Sequence, residues 1–376
     1  MTLRAGLLAA GIIVSVGTAG GPAMGQSAAD QLTLASWGGS YTRSQILAFV
    51  DPFRKQTGSW VEVVDFNGDL AAVREQVRSL NVTYGVVDLE GPELIQGCEE
   101  GILQRLDSVT LLPGADGTPA ADDYFPGMLR PCGIGSVISA TLLVYREDVF
   151  GESGGRPSTV ADLFDLERFP GSRALRRTPR VNLEWALLAD GVPADGLYAA
   201  LDTDAGLDRA FAKLDTIRDS IVWWDEGEEP FELLATYRVA MASAFNGRVF
   251  ARRTIWDEPV EPVWSTAFST DNYWAIPADA PNPELAEAFL TFASSPERQA
   301  LQANEIAYSP PRRSALDLVA SAVRPLLPTA PENLAQSIAT DSAWWARNGA
   351  RIEARFEAWL RGDAQGERRT RGRDVY

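Results

Sequence analysis

Apolar positions in the first hundred residues come in short runs separated by longer stretches with helical spacing. Runs at 32–35, 61–66 and 86–89 are followed by segments at 41–57, 69–80 and 93–100 in which apolar residues recur every three or four positions. This βαβαβα order predicts an α/β fold with a largely parallel sheet flanked by helices. Gly38, Gly68 and Gly91 each fall between a strand and its helix, where a tight turn needs a permissive backbone. Ligands of such sheets sit beyond the carboxyl ends of the strands, in these turns.

A β-rich run at 137–145 exceeds the usual strand length and is expected to carry the chain from one lobe to a second. A further α/β set follows, with strands at 174–177, 221–224 and 239–244 and helices at 183–190 and 204–219. The chain then returns through a strand at 273–276 to helices at 283–294 and 296–304, each opened by Pro. A last helix at 342–360 turns Ile352, Phe356, Trp359 and Leu360 to one face. The expected division is 30–135 plus 250–310 for the first lobe and 136–249 plus 311–361 for the second. Residues 362–376 are polar and Arg-rich and read as a disordered tail.

The length of 376 residues suits two domains of this kind. Residues 1–25 carry Arg4, an apolar stretch at 6–16, and Ala23 and Gly25 before a cleavage point, so they read as a secretory signal peptide and place the mature chain in the periplasm. In an exported chain Cys98 and Cys132 are expected to form a disulfide, two buried free thiols being the alternative. Histidine is absent, which removes the base of any Ser or Cys triad and the usual nitrogen ligand of zinc or haem; no metal or cofactor is expected. Fifty-one acidic against 34 basic residues give a net charge of −17, which repels nucleic acid and attracts cations. Nothing calls for an oligomer, and a monomer is expected.

Candidate chemistry gathers at strand ends. Ser36-Trp37-Gly38-Gly39-Ser40-Tyr41 puts an indole and a phenol at a strand mouth; they either stack on a ligand or, more plainly, cap the core and open the helix. Asp88, Glu90 and Glu93 flank the third turn, where carboxylates meet an ammonium group or stabilise the following helix N-terminus. Trp223-Trp224-Asp225, followed by Glu226, Glu228 and Glu229, sets indoles beside carboxylates, as an organic cation requires. Phe245-Asn246-Gly247-Arg248 and Thr270-Asp271-Asn272-Tyr273-Trp274 lie near the return crossing. Arg248 and Asp271 there either grip the two ends of a zwitterion or pair as a hinge salt bridge.

These motifs, with Tyr273-Trp274-Ala275-Ile276-Pro277 leading to Ala280-Pro281-Asn282, Ser295-Pro296-Glu297-Arg298-Gln299-Ala300 and Ile306-Ala307-Tyr308, resemble in order and type the periplasmic substrate-binding proteins of ABC importers, in particular the spermidine/putrescine-binding group. The resemblance implies a two-lobed periplasmic binding protein fold (type II) that closes on a small amine-bearing solute and delivers it to permease subunits. With the residue reading above, it makes Trp37, Tyr41, Asp88, Glu90, Trp224, Phe245, Asn246, Arg248, Asp271, Tyr273 and Tyr308 the candidate ligand residues. The chain departs from the polyamine pattern at Phe245, where tryptophan is usual, and at Leu89 and Gly91, where a hydroxyl and a phenol are expected. Arg248 also occurs in relatives that take zwitterions. A polyamine therefore leads, and γ-aminobutyrate or 2-aminoethylphosphonate is the alternative. A secreted hydrolase using Glu90 and Asp271 as acid and base, and a solute sensor, are the remaining classes; the signal peptide and the ordered motif set favour binding.

Overall fold

A computed structural model describes residues 31–150 and 155–362. The signal segment 1–25 and the tail beyond Gly362 lie outside the described residues. Ten strands among those described form one sheet: β1 (Gln31–Ser36), β2 (Trp60–Asp65), β3 (Val86–Glu90), β4 (Leu129–Arg130), β5 (Gly133–Arg146), β6 (Arg173–Arg176), β7 (Ile221–Trp224), β8 (Met241–Phe245), β9 (Val260–Ala275) and β10 (Ile338–Ala339). The main order is β2-β1-β3-β9-β5-β8-β6-β7. β2, β1 and β3 are parallel, as are β8, β6 and β7, while β9 and β5 run antiparallel to each other and to their outer neighbours. Two parallel units are thus joined edge to edge by two long strands of 14 and 16 residues.

The side chains of those long strands divide between two cores. From β5, Ile134 and Ile138 pack with Leu34, Phe49, Val86 and Phe289, whereas Leu143 and Tyr145 pack with Phe169, Trp185, Phe211 and Phe356. β9 does the same in reverse, with Val263 and Phe268 in the second core and Tyr273 and Trp274 in the first. The helix Ser342–Arg361 buries Trp345, Ile352, Phe356 and Trp359 against the second core, so its apolar face packs as its spacing requires. Cys98 and Cys132 are joined in a disulfide that ties the helix Gly91–Glu99 to the start of β5.

β9 differs most from the sequence reading, which has only a short strand at 273–276. Its sixteen residues include Pro262, Ser265, Thr266, Ser269, Thr270, Asp271 and Asn272, too polar to show the apolar alternation of a half-buried strand. That polarity suits a strand passing between two cores rather than over one. We propose that the lobes part near residue 140 in β5 and near residue 270 in β9, both later than the expected residues 136 and 250.

Asn246 follows β8 and lies buried at the crossing. Its Oδ1 accepts from the Ala140 amide of β5 at 2.9 Å, and its Nδ2 donates to the Ala307 carbonyl at 2.8 Å. Asn246→Leu would leave both backbone groups buried without partners, and chemical unfolding should show a loss of about 2–4 kcal/mol. A loss below about 0.5 kcal/mol, within the range of a surface substitution, would show that this stitch does not hold the crossing.

Candidate functional site

β1 delivers the chain to Trp37 and Gly38, whose φ of 72° starts the turn into a helix at Gly39. The Trp37 indole packs against Gly68, whose φ is 77°; a Cβ at position 68 would stand 2.1 Å from the ring, so only glycine fits. Behind it, Tyr41 donates its hydroxyl to Asp88 Oδ2 at 2.5 Å, Gln45 donates to the same oxygen at 2.9 Å, and Ser136 donates to Oδ1 at 3.1 Å. Gln45 is fixed in turn by Ser36, which donates to its Oε1 at 2.6 Å. Asp88 is fully buried, and that burial pushes its carboxyl up to about 7 in spite of its hydrogen-bond donors. Because the folded value exceeds the ordinary 3.8, Asp88 holds its proton in the fold at mildly acid pH, and its contribution to stability declines as pH rises through this interval.

The second lobe reaches across with arginines. Arg248, only 3% exposed, donates to Glu228 Oε1 at 2.6 Å and to the carbonyls of Trp37 and Gly38 at 2.9 and 3.3 Å. It threads between Gly39 and Gly227, where a Cβ would come within 2.5 and 2.4 Å of the guanidinium respectively. Glu228 closes the same contact from the other side by accepting from the Ser40 amide and hydroxyl at 3.1 and 2.9 Å. Burial pushes the Glu228 carboxyl up, but Arg248, Arg252 and Ser40 outweigh that and hold it at about 2. Nearer the mouth, Arg180 bonds Glu90 and, at 2.5 Å, Glu93, while Arg176 donates to Glu90 Oε1 at 3.3 Å. Glu90 is buried, and the two guanidiniums overcome that desolvation to hold its carboxyl below the ordinary range.

Between these contacts lies a narrow cavity. Trp37, Tyr41, Phe245 and Tyr308 form aromatic walls; Asn67, Ser139 and Asn272 add neutral polar groups; Glu90, Arg176, Arg248, Asp225 and Glu226 bring charges of both signs. Arg176 stands 5.3 Å from the Phe245 ring and 5.9 Å from the Trp37 ring. The cavity opens towards a polar vestibule bounded by Glu93, Arg177, Thr178, Arg180 and Glu353.

Six of the eleven candidates, Trp37, Tyr41, Glu90, Phe245, Arg248 and Tyr308, line this cavity, and Asp88 lies directly behind Tyr41. The remaining four lie elsewhere. Asn246 is the crossing stitch described above. Trp224 is buried, donating to Ser243 Oγ at 3.1 Å and meeting Phe245 edge-on at 5.9 Å, so it backs the wall rather than forming it. Asp271 and Tyr273 alternate with Asn272 along β9 and so share the opposite face. Tyr273 donates to the Gly127 carbonyl at 2.8 Å and accepts from Arg130 at 3.0 Å, with Asp271 beside it. Neither expected role for an Arg248–Asp271 couple is met, because strand alternation turns Asp271 away and Arg248 pairs with Glu228. For the same reason Glu90 and Asp271 do not form an acid–base pair. The residues unforeseen as site members, Asn67, Val137, Ser139 and Arg176, come from a turn, the crossing strand β5 and the end of β6, while Asn272 belongs to the expected 270–274 motif; the position of Arg176 at a strand's carboxyl end was the available signal.

The model for bacterial extracellular solute-binding proteins matches residues 48–329, and the chain belongs to that family. The γ-aminobutyric acid-binding protein of Pseudomonas aeruginosa is 37% identical over 339 residues, covering 90% of this chain and 93% of that one. Among solved structures, MotA of A. tumefaciens B6 in complex with glucopine has a TM-score of 0.80 at 27% identity, over 88% of this chain and 99% of that one. The Atu4243 GABA receptor has a TM-score of 0.74 at 29% identity, over 88% and 97%. The fold is thus that of a two-lobed periplasmic binding protein, and the chain is a solute-binding component of the ABC-importer kind, not an enzyme. Among the described residues no helix is long and apolar enough to cross a membrane, and no group of three or more His, Cys, Asp or Glu is arranged to hold a metal ion.

Glu228→Gln removes the charge that compensates Arg248 and weakens the bond to Ser40, a change of about 1.5–3 kcal/mol against closure. Small-angle scattering at pH 7 should give the variant a larger radius of gyration than the parent under the same solute. Equal radii would mean that Glu228 does not hold the lobes together.

Proposed function

We propose that this protein is exported by residues 1–25 and captures a small zwitterionic amino compound, γ-aminobutyrate or a close analogue, for delivery to an ABC permease. The observation that carries this reading is the state of Arg176. Both terminal nitrogens of Arg248 are taken by Glu228 and two backbone carbonyls, and both of Arg180 by Glu90 and Glu93, only the Nε of each being without a partner among the described residues. Arg176 faces the cavity with a single side-chain hydrogen bond among the described residues, the 3.3 Å contact to Glu90. Its planar fork is suited to a carboxylate.

The aromatic walls and the acidic rim of Asp225 and Glu226 suit the ammonium end of the same molecule. A diamine or spermidine would instead set a second ammonium in a pocket that already holds the Arg176 cation, a repulsion of about 4 kcal/mol at 4 Å in a partly screened site. The γ-aminobutyric acid-binding relative at 37% identity supports the same choice.

Thermal unfolding of the mature protein, stripped of ligand, tests the choice. γ-Aminobutyrate at a hundredfold excess over its Kd should stabilise the fold by about 2.7 kcal/mol, and putrescine and spermidine should not. Arg176→Gln should weaken γ-aminobutyrate by about 2–3 kcal/mol, roughly 30- to 150-fold in Kd. Stabilisation by the diamines alone would restore the polyamine reading, and undiminished γ-aminobutyrate affinity in Arg176→Gln would remove Arg176 as the partner of the carboxylate.

A further inference from the structure

Asp88 is a buried carboxylate without a cation. It is 0% exposed, and its hydrogen-bond partners are all neutral donors, the Tyr41 hydroxyl, the Gln45 amide and the Ser136 hydroxyl. Other carboxylates have arginines at hand: in the cleft the buried Glu90 has two and the half-buried Glu228 has two, and away from it the buried Asp123 has Arg312 at 2.8 Å. A charge buried in this way is unfavourable unless something compensates it. Tyr41, the first of its donors, is itself part of the cavity wall.

We propose that Asp88 positions Tyr41 as an acceptor for the ammonium group of the solute, and that this ammonium is the counter-charge the fold omits, so that a proton leaves Asp88 when the solute is captured below neutral pH. The proposal rests on the reading that the ligand carries an ammonium group. With its proton committed to Asp88, and Gln45 donating to its oxygen at 3.1 Å, the Tyr41 hydroxyl offers only a lone pair to the cavity. In the empty protein at mildly acid pH the carboxyl carries its own proton. On capture that O–H bond breaks, the proton passes to solvent, and the carboxylate and the ammonium face each other across the phenol.

The groups around Asp88 leave this titration to Asp88 itself. From the helix Gly39–Gln45 the titratable neighbour is Tyr41, and Tyr308 packs beyond it with the two rings 5.6 Å apart. β5 presents Ser136, and β9 sets Trp274 opposite Asp88 in register. The charges further out, Arg248, Glu228 and Glu90, bear on Tyr308 and are ion-paired with one another or with Arg176 and Arg180. Glu184 is a second buried carboxyl raised by burial to about 7, but it contacts Trp345 and Tyr198, away from the cavity.

Calorimetry of γ-aminobutyrate binding in two buffers of different ionisation enthalpy counts the protons released, since the ligand keeps both charges throughout. The parent should release close to one proton near pH 5.5 and almost none near pH 8, with affinity rising up to about tenfold per pH unit over the lower range. Asp88→Asn, which mimics the neutral carboxyl and so preserves the fold, should bind more weakly, with no proton release and a flat pH profile. Tyr41→Phe should likewise reduce the release, whereas Glu184→Gln should keep it. Putrescine separates this inference from the ligand assignment: if the diamine proves to be the solute, the same release must accompany it. Binding of either compound with no proton released, or release that persists in Asp88→Asn, overturns the proposal.

Discussion

The closed form depends on three arginines of the second lobe, Arg176, Arg180 and Arg248, and on what each of them meets across the cleft. Among the described residues, β5 and β9 are the strands that carry the chain between the two cores through the middle of the sheet. Closure is therefore set by noncovalent contacts. Arg248 on the Trp37 and Gly38 carbonyls, Glu228 on Ser40, and Arg180 on Glu90 and Glu93 are contacts that exist only when the lobes meet. Bringing such charges together out of water costs nearly what their attraction returns, so they hold the lobes in register without closing them unaided. In the proposed reading, a solute that satisfies Arg176 and the aromatic wall supplies the difference, and binding and closing become one equilibrium.

The site lies where the topology requires. β1, β3, β6 and β8 all end at the cleft, and their last residues and the segments that follow deliver Trp37, Glu90, Arg176, Phe245 and Arg248. The crossing strands form the floor with Val137, Ser139 and Asn272. Glycines allow the close approaches: Gly68 under the Trp37 ring, and Gly39 and Gly227 on either side of Arg248.

The parts legible in the sequence were those governed by local periodicity. The strand-turn-helix units of the first lobe, the apolar face of the last helix and the Cys98–Cys132 disulfide follow from spacing and compartment, and the ordered motifs pointed to the binding-protein fold. Specificity was less legible, because it depends on which way a side chain turns and which partner it finds. A one-residue alternation in β9 decides that Asn272, not Asp271, faces the cavity. Arg248 looks like a ligand residue until Glu228, twenty positions earlier, is seen to take its charge, and Arg176 then stands out because the terminal nitrogens of its neighbours are already bonded. The polar composition of β9 concealed both its length and its role as the second crossing.

A zwitterion, and not a diamine, is proposed to close the lobes. The distance between spin labels on engineered cysteines at Leu80 and Tyr237, exposed positions on opposite lobes, reads this directly. γ-Aminobutyrate should shift the distance distribution to a single closed population, and putrescine at the same concentration should leave it as in the empty protein. Closure by putrescine, or a distribution unmoved by γ-aminobutyrate, would contradict the account.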